Sequence, residues 1–419
     1  MKSVSGHLLQ KFFSLSYAIL ALILVSSMLI WPRETYDGAR FGLEIWGSVL
    51  VPSLLPFFIV VDIIINLGIV KMLGVLLEPV MRPLFNLPGS ASFAIVMGFT
   101  SGFPMGAVVT RRLHEERLCQ IPEAERLVAF TNNSSPLFIL VAVAVGVFSN
   151  PALGLVMMIA HYLANIFLGI ILGLLAPRRK TVFPYTYSNI ISASIRTLIE
   201  AQKDRKPLGK LFSDAIHSGI KTILLIGGFV IIYAVVIKIL YASGLMNHIR
   251  NIFAFFLKLL NADISLSQAF SVGFFEITLG LKTLSQLNLS YVKQAVAASM
   301  LLGWSGLCIQ SQVLSVLAGS GIKAHLYIWG RVVQSIISGI LAFFLAQTTD
   351  LWSQYFILPA AGFLFSSTKL APYSSLSLGF ILVNIELAAL AMLFMIAAVL
   401  TGKIFSRLIR YLRKRQIQK

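Results

Sequence analysis

Apolar stretches long enough to cross a lipid bilayer recur along almost the whole chain, and no other feature restricts its fold so strongly. Residues 14–31, 152–175 and 376–401 are three of them, each reaching the roughly 18–20 residues that span a hydrocarbon core at 1.5 Å per residue. Inside lipid every backbone N–H and C=O must find its partner within the chain, so such stretches fold as helices. Composition agrees: 57% of residues are hydrophobic and 12% charged, with a mean hydropathy of +0.86, which leaves too little polar surface to solvate a globule. The expected fold is therefore all-α and polytopic in the membrane. A soluble enzyme is excluded, and no HExxH or paired-acid motif gives catalysis a foothold.

The formal net charge is +18, which in a soluble chain would invite a nucleic acid. Here the basic residues fall in short clusters between apolar stretches, where the excess of Lys and Arg on cytoplasmic loops explains them. The lipid bilayer is thus an expected partner and nucleic acid is not. The two cysteines, Cys119 and Cys308, have neither metal-ligand spacing nor a disulfide framework. No metal and no cofactor is expected. The first apolar stretch follows Lys2 and Lys11 but shows no small-residue cleavage site before Trp31-Pro32-Arg33, so it is expected to stay as an anchor.

Along the chain, residues 1–40 read as that anchor helix and a polar loop from Arg33 to Arg40. Residues 41–176 form a first unit: a long helix near 41–70 interrupted by Pro52 and Pro56, an amphipathic piece at 71–87, a hairpin near 90–110 broken at Ser101-Gly102-Phe103-Pro104-Met105-Gly106, and spans near 127–148 and 152–175. Residues 177–212 carry Arg178, Arg179, Lys180, Arg196, Lys203, Arg205, Lys206 and Lys210 and read as a basic cytoplasmic linker. Residues 213–347 then repeat the order of parts: a long helix near 213–242, an interfacial piece near 245–261, a broken hairpin near 265–285, and spans near 290–318 and 322–347. Residues 348–419 supply a last helix and a basic tail. A shift of 171 pairs Pro56 with Gly227, Phe58 with Phe229, Gly102 with Gly273 and Phe103 with Phe274; a shift of 170 pairs Ser135 with Ser305, Leu137 with Leu307 and Gly169 with Gly339.

These identities are sparse, but the shared order of parts at one offset reads as an internal duplication. Basic clusters at the N-terminus, 111–126, 177–210 and 403–415 all lie on the cytoplasmic side only if the halves are inverted. The expectation is about eight transmembrane helices plus two re-entrant helical hairpins in an inverted repeat, with both termini cytoplasmic. Inverted repeats with opposed broken elements suit alternating access, because one fold seen from either face gives two nearly isoenergetic states.

Candidate solute contacts follow from the breaks. The first hairpin tip, with Thr100, Ser101 and Gly102, frees backbone groups that lipid cannot satisfy, and a helix starting there offers N–H donors to a carboxylate; the alternative is a plain proline kink. In span 127–148 the run Thr131-Asn132-Asn133-Ser134-Ser135-Pro136 places polar side chains and a proline in an apolar helix, so Asn132, Asn133, Ser134 and Ser135 are expected to unwind and face a solute. Hydrogen bonds that merely join helices are the competing explanation. Gly273, Thr278, Ser305 and Gln310 are the second-half counterparts. Among ionisable groups at membrane depth, Asp62, Glu276 and Glu386 are the acids, with Lys282 and Arg331 among the bases. Glu276 is the candidate for a coupling H⁺ or Na⁺, set against an ion pair with Lys282. Arg331 either snorkels or attracts an anionic solute; Lys221 and Lys238 snorkel. His161 reads as a buried hydrogen-bonding residue.

The chain also resembles the YlbJ-type sporulation integral membrane proteins, whose core resembles the gate domains of concentrative nucleoside transporters. The stretches that carry the resemblance are Val51-Pro52-Ser53-Leu54-Leu55-Pro56-Phe57-Phe58, Leu77-Glu78-Pro79-Val80-Met81-Arg82-Pro83-Leu84-Phe85, Ser101-Gly102-Phe103-Pro104-Met105-Gly106-Ala107, and Glu123-Ala124-Glu125-Arg126-Leu127 through Pro136-Leu137-Phe138. The resemblance implies a role in endospore formation: a transporter in the mother-cell-derived outer forespore membrane that moves dipicolinate, a small planar dianion, out of the mother cell. A nucleoside-like or other metabolite transporter would share these features, and a non-transporting membrane scaffold of the sporulation machinery would need the basic segments but not the polar breaks. A homo-oligomer is left open.

Overall fold

The computed structural model describes residues 18–177, 190–203 and 207–347. All regular elements among them are helical. Among the described residues four helices are long and apolar enough to cross a membrane, or up to six spans if each of two bent pairs counts as one. The all-α, polytopic membrane architecture is therefore as expected; the helix expected at 376–401, the tail and Glu386 lie outside the described residues.

The first bent pair joins α1 (Ala18–Ile30) to the helix that begins at Pro32, at 103°. This second helix, α2 (Pro32–Ile45), corrects one expectation, because the polar stretch Arg33 to Arg40 is helical rather than a loop. Pro32 occupies the first helical turn, where its missing N–H costs nothing, and Glu34 faces the positive helix end. A π-helical turn, Trp46–Leu50, leads into α3 (Val51–Asn66). Pro52, in the first turn of α3, lacks an N–H that would bond back into the wider turn, and Pro56 lies inside α3, where it removes one helical bond. Together α2 and α3 run antiparallel along α10 (Leu208–Ala242), with buried Gly38 and Gly42 set against the backbone of Val235 and Ile231.

After a 79° bend comes the amphipathic α4 (Ile69–Phe85), then the first hairpin, α5 (Ala91–Ser101) and α6 (Met105–Glu115). The expected span 127–148 is not one helix. It consists of α7 (Ile121–Thr131), a non-helical stretch 132–135, and a π-helical segment Phe138–Val147. Pro136 removes a helical donor at the join, and Asn and Ser side chains compete for the freed groups. Helix α8 (Pro151–Leu175) completes this half, opened by Asn150, whose side chain accepts from the Leu153 N–H.

The expected linker 177–212 is partly helical as well: α9 (Ile190–Lys203) packs on α4, and Gln202 donates to the Leu67 carbonyl at 3.0 Å. Then the order of parts recurs. After α10 follow α11 (Leu245–Leu259), the second hairpin α12 (Leu266–Phe275) and α13 (Ile277–Ser285), the broken pair α14 (Tyr291–Trp304) and α15 (Gly306–Leu317), and α16 (His325–Gln347). The break between α14 and α15 consists of Ser305 at φ 66 and Gly306 at φ 79, two successive left-handed residues that no α-helix accommodates.

Helix α16 is polar inside and apolar outside. Tyr327, Arg331, Gln334 and Ser338 recur every three or four residues and are all buried, whereas Trp329, Ile336 and Phe344 are exposed. In lipid this is the stable orientation, since apolar side chains face acyl chains and polar ones must find partners inside the protein.

Candidate functional site

Each hairpin packs against one broken helix, and glycines make the approach close. A Cβ on Gly98 of α5 or on Gly106 of α6 would overlap the Thr131 carbonyl at the end of α7. Gly102, at φ +88, forms the tip and lies against Ser135. In the second half Gly273 and Gly280 let the two arms touch, and Gly306 sits against the Phe275 carbonyl and Ile277 N–H of the other tip.

The first break gathers Ser101, Gly102, Asn132, Asn133, Ser134 and Ser135. Unwinding leaves the last carbonyls of α7 without helical N–H partners, and Arg331 of α16 supplies substitutes. Its guanidinium donates to the Ala129 carbonyl at 2.5 Å, the Asn132 carbonyl at 3.0 Å and Asn165 Oδ1 at 3.4 Å, and it lies over the Tyr327 ring at 5.3 Å. Arg331 is 0% exposed, so it does not snorkel, and no acidic side chain pairs with it among the described residues. Asn132 Nδ2 donates to the Tyr327 hydroxyl at 3.2 Å, and Asn133 Nδ2 to the Phe130 carbonyl. The Tyr162 hydroxyl lies 2.9 Å from the Ser134 carbonyl and 3.1 Å from that of Phe99, joining the break to the hairpin.

His161 is more specific than a generic buried histidine. Its Nε2 accepts the Ser134 N–H at 3.2 Å, so a neutral ring carries its proton on Nδ1. That nitrogen faces the Gln334 amide at 3.3 Å. With the amide turned so that its oxygen, otherwise without a partner, meets Nδ1–H, both groups are satisfied.

Several polar atoms here have no hydrogen-bond partner among the described residues: Ser101 Oγ, Asn132 Oδ1, Asn133 Oδ1, Ser134 Oγ and Arg331 Nε. Each orphaned buried group costs about 1–3 kcal/mol. Their concentration at one break marks a place where a polar guest would be stabilised. Ser135 is already engaged, its hydroxyl accepting the Phe138 N–H that starts the next helical segment. Thr100 turns its hydroxyl back to the Val96 carbonyl.

The second break differs in charge. Glu276 forms the turn between α12 and α13 and caps α13, its two oxygens accepting the Thr278 N–H at 3.0 Å and the Leu279 N–H at 2.7 Å. A carboxylate at a helix N-terminus is favoured by the helix dipole, so this seat, open to a solute by sequence reasoning, is filled by the protein itself. Lys282 is exposed and does not pair with Glu276. The Trp304 carbonyl, last of α14, accepts from Ser305 Oγ at 2.6 Å and Gln310 Nε2 at 3.1 Å. Gln310 therefore serves the break directly.

Asp62 reaches neither break. Arg112 of α6 holds it through Nε at 3.1 Å and Nη2 at 2.9 Å and also meets Ser218 of α10 at 3.2 Å. The neighbouring Arg111 donates to the Val316 carbonyl at 2.6 Å. Together the two arginines tether the outer arm of the first hairpin to α3, α10 and the end of α15. Sequence reasoning missed Tyr162, Asn165, Tyr327 and Gln334 as members of the first break. The signal was present, because His161 and Asn165 lie four residues apart in an apolar span and Tyr327, Arg331, Gln334 and Ser338 share one face of another.

Comparison with known proteins adds three findings. The family described as Gate: Nucleoside recognition matches residues 48–177, which hold the first hairpin and the first break. The sporulation integral membrane protein YlbJ of Bacillus subtilis (strain 168) is 36% identical over 343 residues, covering 80% of this chain and 84% of that protein. An uncharacterised protein of Alkalihalophilus pseudofirmus is 28% identical over 167 residues, 39% of this chain and 33% of that one. No solved structure matches.

Proposed function

The chain belongs to the family of the sporulation integral membrane protein YlbJ, and from that premise we propose that it is a carrier of a small anionic metabolite, dipicolinate, moved from the mother cell toward the forespore during sporulation. The observation that supports this reading is the buried Arg331, a cation with no acidic partner among the described residues, at a break where unpartnered donors and acceptors concentrate. A cation enclosed in low dielectric is costly without a counter-charge, and a carboxylate reaching its Nε–H would supply one, with the Ser101 and Ser134 hydroxyls as further donors. In this reading the two units are inverted repeats, both termini are cytoplasmic, the protein sits in the mother-cell-derived outer forespore membrane, and the hairpins open to opposite faces in turn.

Direct flux of labelled dipicolinate into proteoliposomes, under imposed pH and Na⁺ gradients, is the test. Uptake by the unaltered protein that falls about tenfold or more when Asn132 and Asn133 are both replaced by Ala, with correct insertion retained, supports the carrier; that factor corresponds to about 1.4 kcal/mol. Unchanged uptake sinks it. The family match to nucleoside recognition favours a nucleoside as second reading. Competition by unlabelled nucleosides but not by dicarboxylates would select it, and the uncharged nucleoside leaves Arg331 uncompensated.

Glu276 is the group we assign to a coupling ion. Glu276→Gln keeps an acceptor for one α13 N–H and removes the charge. The expected outcome is an inserted protein whose uptake no longer responds to the pH or Na⁺ gradient; a gradient response equal to that of the unaltered protein would free Glu276 from this role.

A further inference from the structure

Helix α2 carries a charged face that neither break uses. Arg33, Asp37, Arg40 and Glu44 follow one another at spacings of three and four residues, so they share one side of the helix, while Gly38 and Gly42 on another side fix it against α10. The depth of that face follows from the register. Gly38 meets Val235, Gly42 meets Ile231 and Trp46 meets Gly227, an antiparallel pairing that sets Arg40 level with Tyr233 and Glu44 level with Phe229. Between Lys221 and Lys238, α10 has no charged residue over 222–237, a run that rises about 24 Å, most of a hydrocarbon core. Glu44 stands near the middle of that run and Arg40 inside it.

Charged side chains at that depth must face water or a solute and not lipid. The structure provides such a space: a cavity of about 330 Å³ between α2, α10 and α13, walled by Asp37, Arg40, Glu44, Lys238 and Leu279. None of these four charged side chains forms an ion pair with another within 4 Å. Leu279 of α13 lines the cavity and is the residue whose N–H holds Glu276, so the cavity lies one helical turn from the second break. The Arg112 tether lies toward the other end of α10, at Ser218, where α3 and not α2 is its neighbour, twenty residues or about 30 Å along α10 from Lys238.

We propose that this cavity is a water-filled vestibule through which a small carboxylate solute passes between the second break and the membrane face on which α10 ends. Arg40 and Lys238 receive the carboxylate. Asp37 and Glu44 hold the net charge of the wall near zero, so the solute is bound weakly enough to move on, as passage through a pore requires. The proposal rests on the carrier reading for its solute, but the vestibule itself can be tested without one.

Cysteines placed singly at Arg40, Glu44 and Leu43 of the full-length protein in membrane vesicles, treated with a membrane-impermeant charged thiol reagent, decide the matter. Leu43 is 53% exposed on the same helix and faces acyl chains in this reading; the native Cys119 and Cys308 are buried, and the otherwise unaltered chain gives the background. Expected are labelling at 40 and 44 from one side of the membrane only, and background at 43. Equal labelling at all three positions would place α2 in bulk water, and background at 40 and 44 would place them in a dry environment; either overturns the vestibule. In dipicolinate flux, Arg40→Gln and Lys238→Gln are expected to raise KM about threefold to tenfold at unchanged maximal rate, and an unchanged KM in both would remove the solute from this route. Selective labelling together with no dipicolinate flux by the unaltered protein supports the vestibule while retiring dipicolinate as the cargo.

Discussion

Replacing Arg331 by Met abolishes flux and lowers stability by about 2–6 kcal/mol, because the Ala129 and Asn132 carbonyls at the end of α7 lose the donors that Arg331 gives them and each buried group left unsatisfied costs about 1–3 kcal/mol. Arg331→Lys separates the two roles of this side chain. The charge remains, but one ammonium on a flexible stem does not reproduce a planar fork that reaches two carbonyls and Asn165 at once. Lys is therefore expected to preserve insertion and most of the stability while reducing dipicolinate flux about tenfold or more, the equivalent of about 1.4 kcal/mol. Thermal unfolding of the detergent-purified protein read beside proteoliposome flux distinguishes these outcomes. Full activity in the Met variant would mean that no solute charge is balanced there.

The second large effect is expected at Gly98. Its α-hydrogen faces the Thr131 carbonyl, and a methyl group in its place overlaps backbone and not the end of a mobile side chain. Either α5 or the end of α7 must move, and a misfit of this kind in a packed interior costs about 1–3 kcal/mol, occasionally more. Because the displaced parts are the hairpin arm and the break itself, Gly98→Ala is expected to reduce flux more than its stability loss alone accounts for. Gly228→Ala is the control. A Cβ there meets nothing within 4 Å, and such a change is expected to stay within about 0.5 kcal/mol and leave flux intact. Equal behaviour of the two variants would show that the closeness of hairpin and break has no functional weight.

The two breaks carry opposite charges: among the described residues Arg331 has no acidic partner at the first and Glu276 no basic partner at the second. Tyr327 joins them, its hydroxyl bonded to Asn132 and its side chain beside Ser305. An anion at the first break and a cation at the second would balance both, which is the arrangement a coupled carrier needs. The tether of Asp62 and Arg112 lies away from both sites, where it can hold the hairpin without competing for solute.

The interrupted elements were legible because Gly and Pro act locally: Pro136 after Asn132-Asn133-Ser134-Ser135, and Gly102 before Phe103-Pro104, disturb the helix through their own backbone and through nobody else's. The polar stretch Arg33 to Arg40 misled for the complementary reason. Its charges read as a loop by composition, whereas spacing at three and four residues places them on one face of α2, and only the packing of Gly38 and Gly42 on α10 makes that helix worth forming. Arg331 likewise reads in isolation either as a residue that snorkels to the interface or as one that attracts an anionic solute; what determines its place is the end of α7, 199 to 202 residues away in sequence.

By itself the sequence determined that this chain lies in a membrane, that it is helical, and where its helices break, since each of these follows from hydrophobic length and from backbone chemistry within a few residues. Tertiary structure alone decided which partners the broken ends find: Arg331 at the first, Glu276 at the second, and a charged face of α2 turned to a cavity. The Arg331 pairing and the α2 face join residues far apart in the chain, whereas Glu276 caps a helix that begins beside it; low dielectric makes the long-range energies depend on distances that local sequence does not encode.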